Sequence, residues 1–424
     1  MAAVPFFCSL ARGFAVAFNN TYYVGGFPPK DAAPTTETNY RIKWGVAGVL
    51  NKMEVLVRLN TIATSNTTVK SRLNSAASAG QMTCTIAAGT TGSFTDFTNG
   101  ETIAVNDYTD YQIVTPNTSG SITISAINTL FAATTNTVSK FAVRKVLSAT
   151  GVNYFPLSGG NAFPGSANEA YIQVKAKTAG TLKNFYGYVY SSTTNTSVTL
   201  TARVNGADAG SPGNLAISWT AAQTGEKTDF TNTVTVAVDD LLSVGRSGAA
   251  GAGNLHMSPS VSSEFETTDG TGLILASIED GGVFSFWNAS TTNYTGVGGD
   301  GGEQYTTEAA TNVQAQALAA YTVSKLQTYL PVNTVSAAST LKLRKNGANG
   351  NQSVSLTAST TGFFDDASNS DALAATDTID YQCITGATGT KLGCGVFAML
   401  LSQTAAGGLS IPVAMHQYRR QRAA

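Results

Sequence analysis

Asp96, Asp229 and Asp366 are the residues of this chain best placed to do chemistry. Each stands four residues after a Thr-Gly pair (Thr91-Gly92, Thr224-Gly225, Thr361-Gly362) and three before an Asn (Asn99, Asn232, Asn369). A second acid, Asp107, Asp240 or Asp377, follows at one fixed distance. Oxygen ligands gathered in a loop are what Ca²⁺ takes. A calcium loop, however, holds more acids in a shorter span. Asp and Asn side chains also bond their own backbone and stabilise tight turns, and that is the role this spacing predicts. Asp107, Asp240 and Asp377 come just after β-rich runs and fit the same role. No metal and no cofactor is expected.

Other reactive groups are sparse. The two histidines, His256 and His416, are far apart, so no Ser-His-Asp, Cys-His or H-E-x-x-H set can be assembled. There is no Walker motif, and no G-x-G-x-x-G lies between a strand and a helix. No catalytic residue is assigned, and the chain is read as no enzyme. Cys8, Cys84, Cys383 and Cys394 do not recur at matching places, as a disulfide framework or a structural zinc site would require. They are read as buried free thiols. A Cys383–Cys394 bridge stays open, because the two flank a predicted hairpin.

The acids belong to a larger pattern that occurs three times, starting at Thr91, Thr224 and Thr361. Self-similarity at a domain-sized interval points to a fold assembled by duplication. An R-x-N element precedes each block: Arg72-Leu73-Asn74, Arg203-Val204-Asn205 and Arg344-Lys345-Asn346. Gly206 and Gly347 turn the last two into Asn-Gly turn signals. Roughly 35 residues before each Arg stands a Glu: Glu37, Glu169, Glu308. Ahead of each Glu lies a Gly pair with a Tyr before it: Tyr23 with Gly25-Gly26, Tyr154 with Gly159-Gly160, Tyr294 with Gly298-Gly299. Asp107 and Asp377 lead to Tyr111-Gln112 and Tyr381-Gln382; the second copy has Ser243-Val244 on this stretch. The arginines end strands, where they brace a neighbouring carboxylate or an interface between copies, with no partner named by the sequence.

Period-2 alternation dominates, as in Val198–Val204, Thr233–Val238, Ser121–Ile124 and Ser353–Leu356. Such alternation predicts half-buried antiparallel strands. Turn residues interrupt it every 8–15 residues or so, as in sandwiches and barrels. The stretch Asn312 to Leu326 has some helical composition, but it aligns with strand-like Tyr171–Val174 and is read as strand. About eight strands per copy predict an all-β chain of three tandem jelly-roll-like antiparallel β-sandwich domains. An immunoglobulin-like sandwich is the alternative. The predicted boundaries are 1–138, 139–270 and 271–424, the last with a short basic tail. Residues 1–26 align with the start of the other copies, so they are read as the first strand and not as a signal peptide. Gly248–Gly253 and Val297–Gly302 are read as flexible loops.

Composition sets limits on partners. The chain is 12% charged with a formal net charge of −1. Phosphate binding needs clustered Lys and Arg, so nucleic acid is not expected as the main partner. No apolar run approaches the ~20 residues that span a bilayer, so no membrane is expected. Low net charge weakens the repulsion that keeps proteins monomeric, and uncharged Thr, Ser, Asn and Gly surfaces suit contact with other protein. The tail from His416 to Arg422 is the one basic cluster, either a dock for an acidic partner or a solvated terminus.

The stretch from R-x-N-G to T-G-x3-D-x2-N and a further Asp resembles β-sandwich modules that recur in bacteriophage virion proteins, including capsid decoration proteins, head fibres and tail-associated proteins. Arg203-Val204-Asn205-Gly206 to Asp240 and Arg344 to Asp377 carry the resemblance. Arg72 to Asp107 carries it less well, since Ser75 follows Asn74. The resemblance implies a non-enzymatic virion component that folds in the host cytoplasm and joins a large symmetric assembly. Its partners would be the major capsid protein or neighbouring copies of itself. A single-chain pseudo-trimer acting as capsid cement or head fibre is the leading expectation. A filament or tube subunit built end to end is the first alternative. A receptor- or carbohydrate-binding module is the second, and exposed aromatics on one face would mark it. Trp44, Trp219 and Trp287 stand at unmatched positions. Tyr22, Tyr23, Tyr154 and Tyr294 sit near the Gly pairs, where buried corner tyrosines are the plainer reading.

Overall fold

The computed structural model describes residues 3–25, 35–116, 119–143, 146–148, 153–158, 166–248, 253–257, 261–277, 279–280, 283–297, 299–300, 305–309 and 313–403. Gly26, Gly159-Gly160, Gly298, residues 249–252 and 301–302 of the predicted glycine loops, and the basic tail with His416 lie outside them. So do the side chains of Cys8 and His256.

The alternating pattern does form strands. Nine make the first sandwich: β1 (Val4–Ala17), β2 (Thr21–Val24), β3 (Ile42–Lys43), β4 (Gly48–Asn60), β5 (Thr67–Leu73), β6 (Thr83–Ile86), β7 (Gly92–Ile103), β8 (Tyr108–Val114) and β9 (Ser121–Ala133). One sheet has the order β1-β9-β4-β7 and the other β2-β8-β5-β6, with β3 also on β8. All of these pairings are antiparallel. The first strand pairs the last, and the second pairs the next to last. That is the jelly-roll order, in which every long connection crosses between two facing sheets.

The same order recurs twice. Thr137–Val143, Val261–Thr267, Gly180–Ser192 and Gly225–Val236 face Asn153–Phe155, Leu241–Ser247, Val198–Val204 and Ala216–Trp219. Thr271–Ser277, Val396–Gln403, Tyr321–Leu330 and Gly362–Asp365 face Thr292–Thr295, Thr378–Ile384, Ser339–Lys345 and Ala348–Leu356. The stretch read as strand from 312 to 326 is strand at Ala315–Gln316 and from Tyr321 onward, with Val313 helical.

Among the described residues three apolar clusters lie between the facing sheets, and they reach across the seams: the second takes in Leu273, Leu275, Val396 and Ala398 of the third sandwich, and the third takes in Ala3 and Leu130 of the first. Val55, Ile113, Ile124 and Phe131 belong to the first, Phe185, Leu200, Trp219 and Phe265 to the second, and Leu326, Leu341, Tyr381 and Phe397 to the third. The three tryptophans are fully buried. Cys84, Cys383 and Cys394 are buried free thiols. Cys383 and Cys394 lie on strands of different sheets, so the hairpin that would have joined them is not there.

Two backbone devices recur. Asn205-Gly206 and Asn346-Gly347 both have positive φ, the geometry of a two-residue hairpin turn. Asn74-Ser75 makes the same turn with a side chain where glycine would be easier, at φ 63° for Ser75. The second device is a bulge in β4 and its two counterparts, with Lys52, Asn184 and Lys325 at φ 53°, 55° and 54°.

Candidate functional site: the repeated clusters and the seams between sandwiches

The repeated acids organise turns. Asp96 Oδ1 accepts from Thr98 N and Asn99 N (both 3.1 Å), and Oδ2 accepts from Asn99 Nδ2 (2.9 Å). Asp229 and Asp366 repeat this with their own +2 and +3 residues. Each also reaches the opposite sheet, where Thr83 N, Ala216 N or Ser353 N donates to Oδ2 at 2.8, 3.0 and 2.8 Å. The carboxylate therefore pins the edges of both sheets together. Burial alone would raise the Asp96 pKa, but hydrogen bonds from Asn99, Thr83 and Thr98 pull it down to about 2. Among the described residues no group of three or more His, Cys, Asp or Glu is arranged to hold a metal ion.

The second acid ties a different turn. Asp107, Asp240 and Asp377 accept from Asn74, Asn205 and Asn346 Nδ2 at 2.8, 2.7 and 2.7 Å. They also accept from the amide three residues before. So the Asn of R-x-N and the closing Asp are one contact between neighbouring strand ends.

The partners of the arginines are the glutamates of the same pattern. Arg72 Nε meets Glu37 Oε1 at 3.1 Å, Arg203 Nε meets Glu169 Oε1 at 2.8 Å, and Arg344 Nη2 meets Glu308 Oε2 at 2.6 Å. Every pair is two-pronged, and Nη2 also donates to the carbonyl of Ser75, Gly206 or Gly347 in the hairpin turn. Such bidentate pairs fix geometry as well as charge. The aligned Glu was the available signal, since two charges in register in every copy are a contact hypothesis. The tyrosines join this cluster. Arg203 lies over the Tyr154 ring at 5.1 Å and Arg344 over Tyr294 at 5.9 Å. Gln112 and Gln382 Nε2 donate to the Tyr23 and Tyr294 hydroxyls. Tyr22 packs in the core.

Across the ladder from each Arg stands Asp110, Ser243 or Asp380. Ser243 Oγ donates to Glu169 Oε1 at 2.6 Å. The two aspartates are buried, and among the described residues nothing donates to their oxygens. Burial first, and the Glu308 carboxylate second, push Asp380 up to about 8. Burial and Glu37 push Asp110 well up too, against Arg72 and Arg41. A buried Asp, its carboxyl driven towards the neutral form, thus takes in the outer sandwiches the ladder position that Ser243 holds in the middle one.

The sandwiches touch pairwise through corresponding residues. Ladder register matches Lys43 with Lys175 and Gln316, and Glu54 with Tyr186 and Gln327. Between first and second, Lys43 Nζ meets Glu226 at 2.9 Å, and Gly45 lies against Asn184. Between second and third, Lys325 Nζ donates to Lys177 O (3.0 Å) and Gln327 Nε2 to Lys175 O (2.6 Å). Between third and first, Lys52 Nζ donates to Leu318 O (2.8 Å), and Gln316 N donates to Glu54 Oε2 (3.1 Å). The bulged residue of one sandwich thus always meets the segment after the short third strand of another, and the contacts close into a ring. At its centre the first strands converge. Val4, Ser139 and Gly272 hold matching register positions, opposite Phe131, Phe265 and Leu401. A Cβ on Gly272 would stand 2.8 Å from Val4 Cγ2 and 3.4 Å from Ser139 Oγ. Leu273 N donates to Ser139 Oγ at 2.9 Å.

The chain is thus an all-β protein of antiparallel jelly-roll sandwiches. Among the described residues no helix is long and apolar enough to cross a membrane. No protein-family model matches the chain, and no curated protein does. Among solved structures it is similar to a chain described under the triple jelly roll fold and turret assembly of an archaeal virus. Identity is 12%, covering 95% of this chain and 97% of that one, with a TM-score of 0.19. A chain from the atomic structure of Sulfolobus turreted icosahedral virus gives 12%, 95% and 98%, also at 0.19.

Proposed function

We propose that this chain is a triplicated protein of three domains, 1–138, 139–270 and 271–424, and a non-enzymatic structural component of a bacteriophage virion. The observation that carries the reading is the convergence of Val4, Ser139 and Gly272 inside a closed ring of three seams. One chain then presents three similar outer faces around one axis. That geometry suits a threefold or quasi-threefold position on a shell, where a pseudo-trimer cements neighbouring subunits of the major capsid protein or roots a head fibre. The repeated Asp, Arg and Glu sets support it further, because each is spent on turns and strand ends inside its own sandwich.

Negative-stain electron microscopy tests this on the chain alone and mixed with virions lacking it. Compact three-lobed particles that rebind the shell are expected. Long regular fibres from the chain alone would replace this reading with a filament subunit.

A further inference from the structure

The three seams are built on one plan but filled differently. At the first, Lys43 sits between Glu226 and the Tyr108 ring, 5.1 Å from its centroid, and Tyr108 packs edge-on against Tyr186. At the second, the matching Lys175 lies 4.9 Å over the Phe363 ring, beside Tyr171 and Tyr329. Each of these seams holds a lysine ammonium against a carboxylate or an aromatic ring.

At the third seam, between third and first sandwiches, the same positions carry shorter side chains. Gln316 stands for the lysine, Thr378 for Tyr108, Ser93 for Glu226 and Phe363, and Glu54 for Tyr186. The lost volume is present as a cleft of about 330 Å³, lined by Glu54, Ser93, Thr95, Gln314, Gln316 and Thr378 among others. Glu54 is 1% exposed. Its Oε1 accepts from Ser93 Oγ at 2.8 Å, and its Oε2 accepts from Asn128 Nδ2 at 2.8 Å and from Gln316 N. A carboxylate offers about four acceptor sites, so among the described residues Oε1 keeps one free. A buried acid aimed into a roomy cleft disfavours anions and suits a donor cation.

We propose that this cleft receives a lysine side chain of another protein chain, whose ammonium donates to Glu54 and takes the place that Lys43 and Lys175 hold at the other two seams. The inserted stem fills the space left by Thr378 and Ser93, and the seam becomes like its two partners. The inference rests on the cleft and the register alone. It is tested on the isolated chain, apart from any virion.

The experiment titrates the full chain with Nα-acetyl-lysine methylamide, followed by amide chemical shifts, against acetyl-norleucine methylamide, which keeps the four-carbon stem and lacks the ammonium. Saturable shifts confined to residues around Glu54, Ser93 and Gln316 are expected from the lysine probe. The norleucine probe is expected to bind at least about tenfold more weakly, because a hydrogen bond to a charged group contributes that much or more. Ser93→Phe copies the Phe363 of the second seam and is expected to abolish binding while leaving the melting temperature unchanged or higher. Equal binding of both probes, no saturable shift, or undiminished binding to a folded Ser93→Phe would each overturn the proposal.

Discussion

Asp229 accepts five hydrogen bonds, two from the next turn's amides, one each from the Thr231 hydroxyl and the Asn232 side chain, and one from Ala216 N on the facing sheet. Asp229→Ala leaves those donors unmatched, and a loss on the order of 2–3 kcal/mol of folding free energy is expected in denaturant unfolding. A loss of bound calcium with unchanged melting would contradict the turn role. The two kinds of acid also respond to pH in opposite senses. Asp96, pulled down to about 2, contributes stability above about pH 4 that fades as pH falls towards 2. Asp380, pushed up to about 8, contributes stability that is full below about pH 4 and is lost as pH rises through 8. Asp380→Ser copies Ser243 of the middle sandwich, whose hydroxyl donates to Glu169 and does not titrate in this range. The variant is expected to flatten the fall in melting temperature between about pH 5 and 8. An unchanged slope would show that Asp380 shares no proton with Glu308.

At the level of elements, the hairpins after β5 and its counterparts show how one turn tolerates different residues. The Asn-Gly turns place glycine at φ 81° and 73°, whereas Ser75 holds φ 63° with a Cβ. Left-handed geometry costs a non-glycine residue about 1 kcal/mol or more. Ser75→Gly is therefore expected to raise the melting temperature of the chain, by an amount reduced by the lost Arg41–Ser75 hydrogen bond. The carbonyl that Arg72 grips is kept, so the ion pair with Glu37 stays in place. A lower melting temperature would mean that the Ser75 hydroxyl outweighs the backbone relief. The bulges at Lys52, Asn184 and Lys325 are the less legible element. Nothing in a lysine announces positive φ. These residues adopt it because the bulge aims their side chains across a seam, and only the packed ring rewards that.

For the molecule as a whole, the seams decide how three sandwiches become one particle. The first seam buries an ion pair, Lys140 with Glu264, at 3.1 Å, with Gly45 N and Asn184 also on Glu264. The matching pairs elsewhere are Pro5 with Leu130 and Leu273 with Leu400. Removing one partner of a buried pair leaves an uncompensated charge, whereas an apolar pair of similar volume is often neutral. Glu264→Ala is expected to cost on the order of 3–5 kcal/mol and to loosen the seam in hydrogen exchange. Lys140→Leu with Glu264→Leu, copying the third sandwich, is expected to recover most of that loss. A double variant as unstable as the single one would show that Gly45 and Asn184 need the carboxylate.

Local pattern was enough for the strands, the jelly-roll class and the turn role of Asp96, Asp229 and Asp366. Alternation and turn chemistry act over a few residues, and their physics is present in any short window of the chain. The threefold spacing even placed Glu37, Glu169 and Glu308 in register with Arg72, Arg203 and Arg344, although the pairing itself went unread. The closed ring, the meeting of Val4, Ser139 and Gly272, the proton on Asp380 and the cleft beside Glu54 were out of reach. Each depends on side chains far apart in sequence sharing one desolvated space. Burial and close packing, which no residue's identity specifies alone, decide there which groups touch, which hold a proton and which space stays open.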